Sequence, residues 1–188
     1  MIIYLHGFNS SPQSHKAQVL GRYMEQQGEG EDYACPALPP LAADAIRAIE
    51  KLIAERHGVC FVGSSLGGFY ATYLAEKHDV RAVLINPAID PHVGLRVYLG
   101  SQTNLHTGER YNLTEAHLRE WEKLYVPRIT PGRYLLIVET DDEVLDYRRA
   151  VARYAGAEQR VIPGGDHSLQ SFPEHLGRIL EFAHAAAL

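Results

Sequence analysis

Two cysteines, one tryptophan and no long hydrophobic run are the first constraints set by this chain of 188 residues. With only Cys35 and Cys60, a disulfide-dense scaffold is excluded; a single bridge is the most that the count permits, and nothing suggests an oxidising compartment. No stretch approaches the roughly 18 apolar residues of a membrane-spanning helix. The opening Met-Ile-Ile-Tyr-Leu-His-Gly has no basic segment ahead of its short apolar run, so it reads as a first strand and not as a secretory signal. Basic charge is scarce as well. Eighteen Lys and Arg stand against 23 Asp and Glu, a net charge of −5 with the signs interspersed. That leaves no basic stripe for nucleic acid or an anionic membrane surface, and the expected setting is cytoplasmic. Phosphate and metal motifs are missing too. There is no Gly-x-x-x-x-Gly-Lys-Ser/Thr loop, no Gly-x-Gly-x-x-Gly fingerprint, no His-Glu-x-x-His pair and no paired-cysteine set, so no metal and no cofactor are expected.

What is present is apolar residue enough, 46% of the chain, for the core of one domain spanning residues 1–188. Ile2–Leu5, Val59–Val62, Ala82–Ile85 and Leu135–Val138 are apolar almost residue by residue, as strands covered on both faces of a parallel sheet tend to be. Tyr33–Pro36 and Arg160–Ile162 are weaker strand candidates. Helical patterns alternate with them: from Ser11-Pro12, read as a cap followed by proline at the first helical position, to about Gln27; Ala42 to about Arg56; Leu66–Lys77; Glu143–Tyr154; and Phe172–Ala186, opened by a capping box at Ser171-Phe-Pro-Glu174. This alternation predicts an α/β fold: a three-layer, doubly wound, mostly parallel sheet of about six strands. Residues 87–131 interrupt it with Pro, Gly, Asn and Thr punctuation and one polar helix, about Thr114–Leu124, whose Leu118, Trp121 and Leu124 face inward. Long loops after such strands lie over the ligand crevice, so the insert reads as a small lid; a surface excursion unrelated to substrate is the alternative.

One segment carries chemistry above all others. In Val59-Cys-Phe-Val-Gly-Ser-Ser-Leu-Gly-Gly68 an apolar strand stops at a glycine, a serine sits inside Gly-x-Ser-x-Gly, and a helix follows at once. That strand–turn–helix context makes the pattern a nucleophile elbow. The serine with glycine at both −2 and +2 is Ser65; Ser64 has Val62 and Leu66 there and fails the test. Gly63 and Gly67 give the turn room, and Gly68 lets the helix approach the strand.

A serine hydroxyl needs a base, a group to orient that base, and donors for the oxyanion. In this kind of site the order along the chain is serine, acid, histidine. His167, in the glycine-rich loop Val161-Ile-Pro-Gly-Gly-Asp-His after a late strand, is the candidate base. The other histidines are assigned no catalytic part, although His6 at the end of the first strand reads as a hydrogen-bonding residue or as ordinary packing. The acid belongs after the strand at 134–138, where Glu139, Asp141, Asp142 and Glu143 cluster. Asp142 is preferred because its segment is expected to open a helix directly; Asp141 and, after the preceding strand, Asp90 are the alternatives. For the oxyanion, one amide belongs to Leu66, after the nucleophile, and the other to Phe8, in the His-Gly loop after the first strand. A protein that kept such a fold for ligand binding or scaffolding without turnover is the rival reading.

Taken together, these motifs resemble the α/β-hydrolase superfamily in a short form, and more narrowly the YqiA-like family of small bacterial esterases. The matching segments are Tyr4-Leu-His-Gly-Phe-Asn-Ser-Ser-Pro12, Leu38-Pro-Pro40, Val62–Thr72, Asn86-Pro-Ala88, Asp142-Glu-Val-Leu-Asp-Tyr-Arg148 and Gly164-Gly-Asp-His167, in order along nearly the whole chain. The resemblance implies a serine hydrolase acting on small-molecule acyl esters or thioesters without a cofactor, with Ser65 as nucleophile, Asp142 as acid and His167 as base. Asp141 departs from the pattern, where glycine is usual, and so does Asp166, where asparagine is usual.

Overall fold

The computed structural model describes residues 1–104 and 106–185. In chain order its elements are β1 (Ile2–Leu5), α1 (His15–Gln26), β2 (Tyr33–Ala34), α2 (Ala42–Ile53), β3 (Cys60–Ser64), α3 (Leu66–His78), β4 (Arg81–Ile85), α4 (Pro91–Gly94), β5 (Gly100–Thr103), β6 (Arg110–Leu113), α5 (Glu115–Lys123), β7 (Tyr134–Glu139), α6 (Tyr147–Arg153), β8 (Glu158–Ile162) and α7 (Leu176–His184). Six strands form one parallel sheet in the order β2-β1-β3-β4-β7-β8. The chain winds outward from β1 to β2, then returns to β1's other side with β3. That reversal makes the carboxyl ends of β1 and β3 a topological switch point, where such sheets leave a crevice.

The alternation of side chains across the strands explains why these segments are apolar throughout. Ile3, Leu5, Phe61, Leu84 and Leu136 face a core closed by α2, α3, α5 and α6. Ile2, Tyr4, Val62, Val83, Ile85 and Ile137 face a second core, closed by α1 and α7. Each large side chain buried in these layers contributes about 1.5–3 kcal/mol. The edges are blunted: β2 has two residues, and β8 carries Glu158 and Arg160.

Several helix starts differ from the sequence expectation, each for a visible reason. Helix α1 begins at His15 and not at Ser11-Pro12, because Ser11 makes a turn: its hydroxyl accepts from Gln13 N (3.1 Å) and its carbonyl from Ser14 N (3.0 Å). Helix α6 begins only at Tyr147, capped by Asp146, because the Asp142 carboxylate draws the amides of Val144 and Leu145 into a loop. The Ser171 hydroxyl is committed to Glu139, so no capping box forms there; a short 3-10 turn, Phe172–His175, leads into α7. Ala186, the expected end of that helix, lies outside the described residues.

The insert contains more order than its composition suggests. Beside α5 it holds an antiparallel hairpin, β5–β6. Trp121 and Leu118 of α5 are buried as expected, and Trp121 Nε1 donates to the Tyr70 hydroxyl of α3 at 2.7 Å. The hairpin is tied to the loop after β1: Asn104 Nδ2 donates to Ser10 O (2.9 Å) and the Tyr111 hydroxyl to Asn9 Oδ1 (2.7 Å). Both cysteines are free thiols.

Candidate active site

Strand β3 ends at Ser64 and helix α3 begins at Leu66, which leaves one residue, Ser65, to turn the corner. Its φ of 54° and ψ of −120° lie where residues with side chains seldom go, a strain of about 1–3 kcal/mol. Crowding explains the glycines. A methyl group on Gly63 would collide with the Gly67 carbonyl, one on Gly67 with the Leu5 carbonyl of β1, and one on Gly68 with Pro87. Hydrogen bonds to the end of β4 hold the corner: Ser65 N donates to Ile85 O, and Ser65 O accepts from Ala88 N, both at 3.0 Å.

The Leu66 amide is the first of α3 and has no carbonyl within the helix to bond. The loop after β1 meets it from the other side of the switch point. A methyl group on Gly7 would come within 3.3 Å of Ser65 Cβ, so a side chain there would press on the serine. His6, 4% exposed, orients this loop. Leu38 N donates to its Nε2 (3.0 Å), so Nδ1 carries the proton and donates to the Gly7 carbonyl (3.0 Å). A trans peptide points its C=O and N–H in opposite directions, so fixing Gly7 O turns the Phe8 amide away from His6. Burial holds the His6 imidazole below its ordinary pKa, consistent with a neutral ring that both donates and accepts.

His167 lies in the loop after β8 and Asp142 in the loop after β7. The structure brings them together: Nδ1 of His167 lies 2.8 Å from Asp142 Oδ2 and 3.0 Å from Oδ1. The Asp142 side chain is 2% exposed. Burial alone would raise its pKa; the His167 contact and the amides of Leu145 and Val144 outweigh that and hold the carboxyl below its usual range. Asp141 is exposed and accepts from the Thr140 hydroxyl, and Asp90 is paired with Arg149 at 2.8 Å. Neither touches His167. Asp166 turns back on its own loop, accepting from Ser168 N and Gln170 Nε2, both at 2.7 Å. Among the described residues no hydrogen bond joins the Ser65 hydroxyl to the His167 ring; the two side chains face one cleft of about 640 Å³, which Phe8 and Leu66 also line.

The walls of that cleft differ. Ile89, Pro91, Leu95, Val97 and Tyr98 of the insert, with Val144 and Leu145, supply an apolar wall beside which the Asp90–Arg149 pair also lies; Ser10, Ser14, His15, Lys16 and His106 supply polar lining. Val97 is 82% exposed and Val144 56%, so the apolar wall continues into open surface. Lys16 Nζ donates to Ser168 O at 2.8 Å, which ties α1 to the histidine loop. Lys16 and Asn86 have no place among the site residues expected from the sequence. The Asn86-Pro-Ala motif was the available signal for the second. Among the described residues no group of three His, Cys, Asp or Glu side chains could hold a metal, and no helix is long and apolar enough to cross a membrane.

A parallel sheet with a strained serine corner at its switch point and an Asp–His pair over the neighbouring strand ends defines a class: the chain has the α/β-hydrolase fold. Solved structures agree. Alpha/beta hydrolase domain-containing protein 10 from mouse superimposes with a TM-score of 0.74 at 17% identity, over 96% of this chain and 87% of that one. The esterase domain of a Rhodothermus marinus protein does so with a TM-score of 0.63 at 18% identity, over 95% and 83%. Within that fold the chain belongs to UPF0227, described as an uncharacterised protein family, which it matches over residues 1–184. A UPF0227 protein of Pectobacterium carotovorum is 27% identical over 193 residues, covering 97% of this chain and 98% of that protein. This is the YqiA-like grouping that the sequence motifs resemble.

Proposed function

We propose that this protein is a serine hydrolase that cleaves small-molecule acyl esters or thioesters through an acyl-enzyme on Ser65. The observation that carries the reading is the contact of both Asp142 oxygens with His167 Nδ1, at 2.8 and 3.0 Å, in the cleft that the strained Ser65 corner opens onto. With Nδ1 engaged by Asp142, Nε2 is the nitrogen free to act as base. It takes the Ser65 proton as Oγ attacks the acyl carbon. The carbonyl oxygen gains negative charge, and the amides of Phe8 and Leu66 donate to it. The tetrahedral adduct collapses, the bond to the alcohol or thiol breaks, and His167 returns the proton to that leaving group. Water then enters, loses a proton to His167, and releases the acid while Ser65 regains its hydrogen. The apolar wall takes the acyl group, and residues 87–131 act as its cover. The esterase domain of the Rhodothermus marinus protein, which shares the fold, favours the same substrate class.

Incubation with a fluorophosphonate, followed by peptide mass spectrometry, tests the reading directly. The expected result is a single adduct on Ser65, absent in Ser65→Ala, together with turnover of p-nitrophenyl butyrate or an acyl-thioester of graded chain length. An unlabelled wild-type protein, inert on the whole panel, would leave a non-catalytic binding role in its place.

A further inference from the structure

Glu139 is the last residue of β7, and only 1% of it is exposed. A carboxylate buried to that degree requires donors around it. It has four, all from one six-residue stretch: the amides of Asp166 (2.8 Å), Gln170 (2.9 Å) and Ser171 (2.8 Å), and the Ser171 hydroxyl (2.6 Å). The approach is fitted on the other side as well. A methyl group on Gly165 would overlap the Glu139 carboxylate, and the φ of 74° there favours glycine in any case. Residues 166–171 are the segment that carries His167. They form turns and no strand or helix: Leu169 N bonds Asp166 O, Ser168 N the Asp166 side chain and His167 N the Glu143 carboxylate, and Glu139 is the partner of the other three amides. Asn86, at the end of β4, completes the hold. Its Nδ2 donates to the carbonyls of Asp166 (3.1 Å) and His167 (3.2 Å), and its Oδ1 accepts from Glu139 N (3.1 Å).

We propose that Glu139 is a positioning residue: its carboxylate, with Asn86 beside it at the end of β4, fixes the 166–171 loop so that Nδ1 of His167 meets Asp142 and Nε2 is left for Ser65. The proposal rests on His167 being the base of the reaction above. A packing role alone would not explain the donor set. One acceptor group serves three main-chain amides on a single loop, and the two oxygens divide the work. Oε1 takes Ser171 N and Oγ, and Oε2 takes Asp166 N and Gln170 N. Glutamine has the same shape but one oxygen. Whichever way it is turned, its NH₂ group faces at least one main-chain N–H, donor against donor.

The test is proton NMR of the free protein together with steady-state kinetics. In the wild type the Nδ1 proton of His167 gives a downfield resonance, assigned by its loss in Asp142→Ala. In Glu139→Gln, well below the variant's melting temperature, that resonance broadens or disappears. The kcat for p-nitrophenyl butyrate falls about 10²-fold, as misplacement of a reacting group by an ångström does, and KM stays within about twofold of wild type, since the acyl wall is untouched. Ser171→Ala removes one of the four donors and leaves the carboxylate in place; here the proton exchanges several-fold faster and kcat falls between about three- and tenfold. That variant carries the test if Glu139→Gln does not fold. A sharp, unshifted resonance and a kcat within threefold of wild type in the folded variants would overturn the proposal, even if the melting temperature drops. A resonance lost in Glu139→Gln while wild type cleaves no ester would uphold the positioning role and remove the hydrolase reading. An unchanged resonance in an active enzyme would do the reverse.

Discussion

Replacing Asp142 by asparagine tests the proposed chemistry while disturbing little else, because the geometry dictates how the new amide must sit. Asp142 Oδ1 accepts from the main-chain N–H of Val144 (2.9 Å) and Leu145 (2.8 Å), whereas Oδ2 is the oxygen nearer His167 Nδ1 (2.8 Å). An isosteric asparagine keeps the two main-chain bonds only by placing its oxygen at the Oδ1 position. Its NH₂ group then occupies the Oδ2 position and donates to Nδ1. The imidazole must carry its proton on Nε2 instead, the nitrogen that should accept from Ser65. The wrong tautomer is thereby fixed by the same loop that once fixed the right one. An acid-to-amide change of this kind in a serine–histidine–acid site costs about 10⁴-fold in kcat, equivalent to about 5.5 kcal/mol of transition-state stabilisation. The loop survives because both main-chain bonds survive, so the melting temperature should fall only slightly. Asp141→Asn, one residue away, alters an exposed side chain that accepts from the Thr140 hydroxyl, and its kcat should stay within about threefold of wild type. The assay is p-nitrophenyl butyrate hydrolysis for both variants beside wild type. A loss of less than tenfold in Asp142→Asn, or a larger loss in Asp141→Asn, would refute the tautomer argument.

Ser65→Gly should abolish turnover yet raise the melting temperature by about 2–4 °C: glycine relieves the strain at φ 54°, and the net gain of about 1 kcal/mol remains after its greater unfolded-state entropy is subtracted. A lower melting temperature would mean that the corner is unstrained. The His6 imidazole titrates below its ordinary range when folded, so under about pH 6.5 the unfolded chain binds a proton that the folded chain refuses. Stability should therefore be complete above that pH and decline as pH falls toward the folded value, and thermal melts from pH 7.5 to 5.5 should show a shallower decline in His6→Gln than in wild type. Trp121→Ala should cost about 3–5 kcal/mol in urea denaturation, since it opens a cavity under α5 and leaves the buried Tyr70 hydroxyl without its indole donor.

The strands of the main sheet were legible because burial on both faces leaves no room for polar alternation: every residue of β1, β3 and β7 is buried. The serine corner was legible for a related reason, since Gly63 and Gly67 are forced by main-chain collisions and Gly68 by the Pro87 ring. The hairpin in the insert was not. Gly100-Ser-Gln-Thr has no apolar side chain, and Arg110-Tyr-Asn-Leu puts Tyr111 and Leu113 on one face, an alternation too short to mark a strand, so pairing there depends on docking onto the β1 loop. The starts of α1 and α6 differ from the expected ones because Ser11 and Asp142 engage their side chains in turns, a competition that sequence spacing does not resolve. Among the acids after β7 the sequence favours Asp142 as the partner of His167, but it does not give the place of Glu139. Glu139, Asp141 and Asp142 differ in which loop they reach, and that depends on the path of residues 163–171, far off in sequence.

That path accounts for where the protein keeps its buried polarity. Few polar side chains are fully buried, and His6, Ser64, Asn86 and Glu139 follow or end four consecutive neighbours in the sheet: β1, β3, β4 and β7. Everywhere else along those strands the interior is apolar. A sheet built for stability alone would gain by filling these positions with Val or Ile, since a buried polar group contributes only when every donor and acceptor finds a partner. Here His6 reaches Gly7 and Leu38, Asn86 reaches the carbonyls of Asp166 and His167, and Glu139 accepts four bonds. Each partner lies in a loop that carries or adjoins Phe8 or His167, and the strained Ser65 stands between them. The polar rim thus converts the rigidity of the sheet into fixed positions for loops that have no rigidity of their own. Substitutions along it should therefore affect rate beyond what lost stability explains. Asn86→Leu, for example, leaves the Asp166 and His167 carbonyls and the Glu139 amide without their partner and puts a branched side chain at φ 39°, so the urea midpoint should fall, while kcat of the folded variant drops by about 10²-fold as the His167 loop loses its hold on β4. A destabilised variant that keeps full kcat while folded would show that the rim serves the fold alone.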